Sequence, residues 1–86
     1  MVKVLFYESV KNHSKCESLE IEFAGTVLDL IHQLGERLGA GFRDYLLEDD
    51  TCFFLVNGKS IIRTGGLNTP LGPSDKIEIL PIVEAG

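Results

Sequence analysis

The chain has 86 residues, with eight Lys and Arg against thirteen Asp and Glu, a formal charge of −5, two His, two Cys and 44% hydrophobic residues. Surface scaling for 9.5 kDa gives about 5,000 Å² folded against about 13,800 Å² unfolded, so roughly 63% of the surface can be buried in one modest core, and a multidomain enzyme is excluded. The acidic balance disfavours nucleic acid and anionic membrane surfaces, because both draw their affinity from Lys and Arg.

The apolar runs Val4–Tyr7 and Phe53–Val56 are far shorter than the ~20 residues of a spanning helix, and the N-terminus shows no signal-peptide pattern. Cys16 and Cys52 lie far apart and form no CxxC pair. A single disulfide between them is allowed but not implied, and the chain reads as cytoplasmic.

Val2-Lys-Val-Leu-Phe-Tyr7 is nearly continuously apolar and β-rich, which predicts a central strand covered on both faces. The polar stretch Glu8–Glu17 reads as a hairpin loop. Leu19-Glu-Ile-Glu-Phe23 alternates strictly, placing Leu19, Ile21 and Phe23 on one face of a half-exposed second strand. Thr26-Val-Leu-Asp29 fits an acidic capping box. The helix that follows carries Val27, Leu30, Ile31, Leu34 and Leu38 on one stripe and stops at Gly39. Phe42, Tyr45 and Leu46 predict a short second helix that runs into the acidic loop Glu48-Asp49-Asp50.

Cys52–Val56 reads as a third strand, turned by the type I′ pair Asn57-Gly58 into a short fourth strand, Ser60-Ile61-Ile62. The Gly- and Pro-rich segment 65–74 reads as turns, and Lys76–Leu80 as a fifth strand ended by Pro81. One amphipathic helix on a partly one-sided sheet is an α+β two-layer domain. Pairing the first strand with the last at its centre makes it a β-grasp, with about five strands on one main helix plus a short one. The expected division is a domain over residues 1–81 and an extended tail over 82–86.

Side-chain catalysis finds little support. His13-x-x-Cys16 is half a metal site with no second pair, and four ligands are needed. His32 beside Asp29 reads as a solvated helix face, and Glu48-Asp49-Asp50 lacks the spacing of a calcium loop. Gly39-Ala40-Gly41 lacks the Lys and Ser/Thr of a phosphate loop, and the internal Gly65-Gly66 is a turn. What remains is Gly86, the least hindered carboxylate a chain can present, on a tail that from Pro81 onward reaches roughly 20 Å at ~3.3 Å per residue.

Five segments carry a resemblance: Val2–Tyr7, Gly25-Thr-Val-Leu-Asp-Leu30, Leu55-Val-Asn-Gly-Lys59, Leu67-Asn-Thr-Pro-Leu71 and Ser74-Asp-Lys-Ile-Glu-Ile-Leu-Pro81. Together they span essentially the whole chain, which resembles the MoaD/ThiS family of ubiquitin-like sulfur carriers and, within it, the small subunit of molybdopterin synthase. The resemblance implies a β-grasp fold. It also implies that Gly86 is adenylated by an ATP-dependent, MoeB-like (E1-like) activating enzyme and converted to a thiocarboxylate. The tail then delivers sulfur inside a larger, MoaE-like subunit of molybdopterin synthase. The carrier itself holds no cofactor or metal, since ATP is used by the activating enzyme. By the same resemblance the docking patch comprises Tyr7, Ile61 or Ile62, and Leu80, with Pro81, Ile82, Val83, Glu84 and Ala85 entering the partner.

The tail departs from the family ending Pro-Pro-Val-x-Gly-Gly. Ala85 stands in place of the penultimate glycine, adding a methyl where the partner closes around backbone and disfavouring positive φ. Glu84 would be mildly repelled by ATP phosphates. Three alternatives therefore stay open: a carrier of sulfur to thiazole, a tRNA base or a cysteine precursor; a ubiquitin-like protein modifier; and a non-covalent binding module that has lost activation.

Overall fold

Residues 1–48 and 52–82 are described by the structure, a computed structural model. Its frame is a five-stranded mixed sheet in the order β2-β1-β7-β4-β5, where β1 is Val2–Phe6, β2 Ser18–Ile21, β4 Cys52–Val56, β5 Lys59–Ser60 and β7 Lys76–Pro81. Only β1 and β7 run parallel, with Val4 opposite Ile77 and Phe6 opposite Ile79, and every other neighbour is antiparallel. This is the β-grasp arrangement expected from the two most apolar runs. Its exposed area of 5216 Å² lies close to that expected from size.

Helix α2, Val27–Leu38, lies across one face of the sheet and buries Val27, Leu30, Ile31, Leu34 and Gly35. Those side chains meet Val2, Val4, Phe6, Ile21, Phe54, Ile77 and Ile79 in a single core. The capping box forms reciprocally: Thr26 Oγ1 accepts from the Asp29 amide at 3.2 Å, and Asp29 Oδ2 accepts from the Thr26 amide at 3.0 Å. The bond from the Thr26 amide is the first cause holding the Asp29 carboxyl below its ordinary range. Gly39, at φ 110°, ends α2 and starts α3, Ala40–Leu47, because only a residue without a Cβ adopts that turn freely. The α2–α3 hairpin closes tightly enough that a Cβ on Gly35 would stand 2.8 Å from the Cβ of Arg43.

Three local expectations are corrected. Residues 8–14 form a helix, α1 (Glu8–Ser14), rather than a loop. Its inward face is Val10 and Ser14 alone, so a single apolar residue leaves no helical period to read; the Ser14 hydroxyl bonds the carbonyls of Lys11 and Cys16 at 3.1 and 2.7 Å. The fourth strand stops at Ser60. There the Ser60 hydroxyl accepts from the Ile62 amide and starts a 3-10 turn over Ile61–Arg63. The segment after it also contains a two-residue strand, β6 (Pro70–Leu71), paired with β3 (Gly25–Thr26) at the entrance to α2.

The Asn57-Gly58 turn has positive φ at both residues, as a type I′ turn requires. The Asn57 side chain also accepts from the Lys76 amide at 3.0 Å and donates to Asp75 Oδ1 at 2.9 Å, tying the hairpin to the start of β7. Asp75 accepts in addition from the Gly72 amide at 2.7 Å, and these bonds keep its carboxyl below the ordinary range. Among the described residues no helix is long and apolar enough to cross a membrane. The acidic-loop residues Asp49 and Asp50, and the tail residues Val83, Glu84, Ala85 and Gly86, lie outside the described residues.

In Gly35→Ala, overpacking against Arg43 of about 1–3 kcal/mol outweighs the roughly 1 kcal/mol gained in helix propensity. Urea unfolding should show a lower midpoint at unchanged slope; an unchanged or raised midpoint would mean the α2–α3 contact is looser than described. Stability held by Asp75 is present above pH ~4 and is lost as pH falls through its lowered native value. Asp75→Asn should therefore flatten the acid limb of the stability profile.

Candidate functional site

The last five residues of the chain follow β7 in sequence, so the candidate site is built around that strand's end. Ile77 and Ile79 point into the core and anchor the strand completely, both at 0% exposure. The intervening Glu78 and Leu80 face the opposite, helix-free side of the sheet. Leu80 stands opposite Phe53, Glu78 opposite Leu55, and on the other flank Glu78 pairs with Leu5. Leu5, Phe53, Leu55 and Leu80 are all half-buried, a partly exposed apolar strip on an otherwise uncovered sheet face.

Tyr7 completes that strip. Its amide donates to the Ile79 carbonyl at 3.2 Å, extending the β1–β7 ladder one residue beyond β1, and its hydroxyl donates to Glu78 Oε2 at 2.7 Å. The hydrogen bond to Glu78 comes first among the causes that push the phenol above its ordinary range, followed by desolvation and then the carboxylate's charge. Glu78 thus holds the phenol down on the sheet face while the Tyr7 side chain stays exposed.

The expected docking residues divide between two surfaces. Tyr7 and Leu80 share the open sheet face. Ile61 is 7% exposed and belongs to the core, whereas its neighbour Ile62 is 84% exposed, because the 3-10 turn rotates successive side chains apart. Pro81 is the last residue of β7 and sits opposite Cys52. Ile82 lines a groove of about 360 Å³ on the outer side of β4, together with Leu47, Ile62 and Leu67. The sequence did not single out Leu47 and Leu67; each reads as an ordinary apolar residue until α3 and the segment 66–68 are folded against the strand.

The remaining candidates take structural places. His13 stacks on Tyr45 with ring centroids 3.9 Å apart, joining α1 to α3, and Cys16 packs against the core. Both cysteines are free thiols. Cys52 stands opposite Pro81 at the end of β7, and burial pushes its thiol up to about 11.

A mixed β-grasp sheet whose central strand runs out into the C-terminal tail is the architecture of ubiquitin-like carriers. The chain belongs to the ThiS family, whose model matches residues 4–86, a family of ubiquitin-like sulfur carriers. No curated relative matches it in sequence. Among solved structures it is similar to a chain of the BexX/CysO complex of Amycolatopsis orientalis, at 25% identity and TM-score 0.83, covering 100% of both chains. It is also similar to the small archaeal modifier protein 1 (SAMP1) of Methanosarcina acetivorans, at 26% identity and TM-score 0.76, covering 99% of this chain and 95% of that one. CysO of Mycobacterium tuberculosis shares the fold, at 22% identity and TM-score 0.82 over 96% of this chain and 100% of that one.

With its thiol raised to about 11, Cys52 in a Cys16→Ser protein should be alkylated at pH 8 about 100-fold more slowly than an ordinary thiol, following the thiolate fraction. The rate should still be climbing with pH at 10. A plateau near pH 9 would show that the groove floor is open to water.

Proposed function

We propose that this chain carries sulfur as a thiocarboxylate on Gly86 and delivers it in the synthesis of molybdopterin or tungstopterin. The observation that carries the reading is membership of the sulfur-carrier family over residues 4–86. With it goes a body whose strand β7, anchored by the fully buried Ile77 and Ile79, leads into the last five residues. The motif run from Val2 to Pro81 supports the pterin branch.

The chemistry needs little from the body. A carboxylate is a poor electrophile because its leaving group would be oxide. An oxygen of the Gly86 carboxylate attacks the α-phosphorus of ATP in a MoeB-like enzyme, pyrophosphate leaves, and a mixed anhydride with AMP forms. Sulfide then adds to the carbonyl carbon; AMP departs with the original oxygen, and the sulfide proton passes to solvent, leaving the thiocarboxylate. The carrier's task is to position and present, which divides the work between a rigid sheet and a narrow terminus. The open face with Tyr7 and Leu80 is suited to docking on the activating enzyme or on a MoaE-like large subunit, since its apolar strip is contiguous and bordered by polar residues. Pro81, Ile82, Val83, Glu84 and Ala85 form the segment that enters the partner. Ala85 adds one methyl to that segment and slows closure around it without removing the reacting group.

A second reading, sulfur delivery to a different acceptor or attachment to other proteins, is favoured by a specific observation. Among the structural neighbours above are a chain of a BexX/CysO complex and a small archaeal modifier protein.

Intact mass measurement after incubation with a MoeB-like enzyme, ATP and sulfide should show one oxygen replaced by sulfur. That change should be absent when Gly86 is deleted and faster in Ala85→Gly. An unchanged mass in the native chain together with conversion of Ala85→Gly would contradict the carrier reading and leave a binding module. If the native chain converts, transfer of its sulfur to a pterin precursor by the large subunit separates the two acceptor readings.

A further inference from the structure

The turn Asn57-Gly58 carries a reactivity that sulfur carriage leaves unused. Asn is a thermolabile side chain, and a following Gly presents its backbone nitrogen with no Cβ to hinder ring closure onto the side-chain amide. The other asparagines, Asn12 and Asn68, precede His13 and Thr69, whose Cβ atoms hinder the same closure. Asn57 and Gly58 are both exposed, and nothing lies within 4 Å of where a Cβ on Gly58 would stand, so water reaches the turn from outside.

The restraint on that reactivity comes from across the sheet. Asn57 is bonded to the start of β7 through three groups: its amide donates to the Lys76 carbonyl at 2.8 Å, its Oδ1 accepts from the Lys76 amide at 3.0 Å, and its Nδ2 donates to Asp75 Oδ1 at 2.9 Å. Partners 18 and 19 residues away thus hold the carboxamide toward β7. To react, Cγ must turn back to the nitrogen of Gly58, and both side-chain bonds must break. Only the two-residue strand β5 continues the hairpin beyond the turn, so local opening needs far less than global unfolding.

We propose that Asn57-Gly58 is a self-modification site gated by the fold, held intact while the Asn57 side chain bridges to Asp75 and Lys76 and converted to aspartate or isoaspartate when the turn opens. The Gly58 nitrogen, giving up its proton to solvent, bonds to Asn57 Cγ; the Cγ–Nδ2 bond breaks, ammonia leaves and a succinimide ring forms. Water then opens the ring. Attack at Cγ leaves aspartate, and attack at the α-carbonyl leaves isoaspartate, with one more carbon in the main chain. Water is the only co-reactant.

Either product ends the bridge. An oxygen takes the place of the Nδ2 that donates to Asp75, whose carboxyl is held below the ordinary range by the Gly72 amide first and the Asn57 side chain second. Two carboxylates then face each other where a hydrogen bond stood, and they repel. Isoaspartate also lengthens a two-residue turn whose length sets the register of the hairpin. The conversion runs one way, and its product loosens the turn that restrained it.

The test incubates the full chain in mildly alkaline buffer and follows replacement of the Asn57 NH2 by OH, by intact mass and peptide mapping. Wild type should convert roughly tenfold or more slowly than the same chain in urea. Asp75→Ala, which removes one tie, should convert faster than wild type and faster than Gly35→Ala, which destabilises the chain without touching the turn. Asn57→Asp should melt below wild type at pH 7, with the deficit shrinking below pH ~4 as the facing carboxylates protonate. The urea and Asn57→Asp comparisons stand even where Asp75→Ala fails to fold. Equal rates in buffer and urea, or no greater acceleration in Asp75→Ala than in Gly35→Ala, would overturn gating by the bridge. Conversion of Asn12 or Asn68 ahead of Asn57 in urea would overturn the choice of site, and an Asn57→Asp protein as stable as wild type at pH 7 would overturn the repulsion.

Discussion

Parallel pairing of β1 with β7 is the constraint on which the rest of the molecule depends. The two strands are the first and last elements of the fold, so their register sets the terminal strands side by side and encloses everything between them. Parallel neighbours cannot be joined by a tight turn, and a crossover layer must carry the chain over the sheet. Here α2 and α3 do so, and the stripe of α2 covers Val4, Ile77 and Ile79 from above. That core is what an 86-residue chain has to offset its conformational entropy. The same pairing bears on the proposed function: because β7 is held on both sides and beneath α2, the position of Pro81 at its end is fixed.

Much of this was legible from residue order because the strong signals are local or periodic. The stripe Val27–Leu38, the capping box at Thr26 and the turn at Asn57-Gly58 each need only a few neighbouring residues to declare themselves. Helix α1 was not legible, since its buried face is Val10 plus a serine satisfied by backbone carbonyls. The short β3–β6 pair was hidden for another reason: two residues on each side cannot show alternation, and Gly and Pro within them read as turn.

The site was legible in part. Tyr7 and Leu80 follow from strand alternation once the open face is known, whereas the sequence leaves Ile61 and Ile62 undivided. The 3-10 turn that the Ser60 hydroxyl starts keeps Ile61 in the core and leaves Ile62 exposed. Convergence of Leu47 and Leu67 on Ile82 depends on the end of α3, the 3-10 turn at 66–68 and the residue after β7 meeting beside β4, and no sequence period records it. Asn57 likewise does two jobs, one visible in the turn motif and one, its bridge to Asp75 and Lys76, visible only in three dimensions.

The functional account requires that β7 be the best-held strand in the molecule up to the point where the tail departs. Native-state hydrogen exchange followed by residue tests this most directly. The amides of Leu5, Ile77 and Ile79 should exchange only through global unfolding, while those of α1 and of the 3-10 turn at Ile61–Arg63 open at lower free energy. Exchange of β7 amides ahead of α1 would contradict the account, since the tail would then leave from a strand that frays and the rigid half of the carrier would be missing.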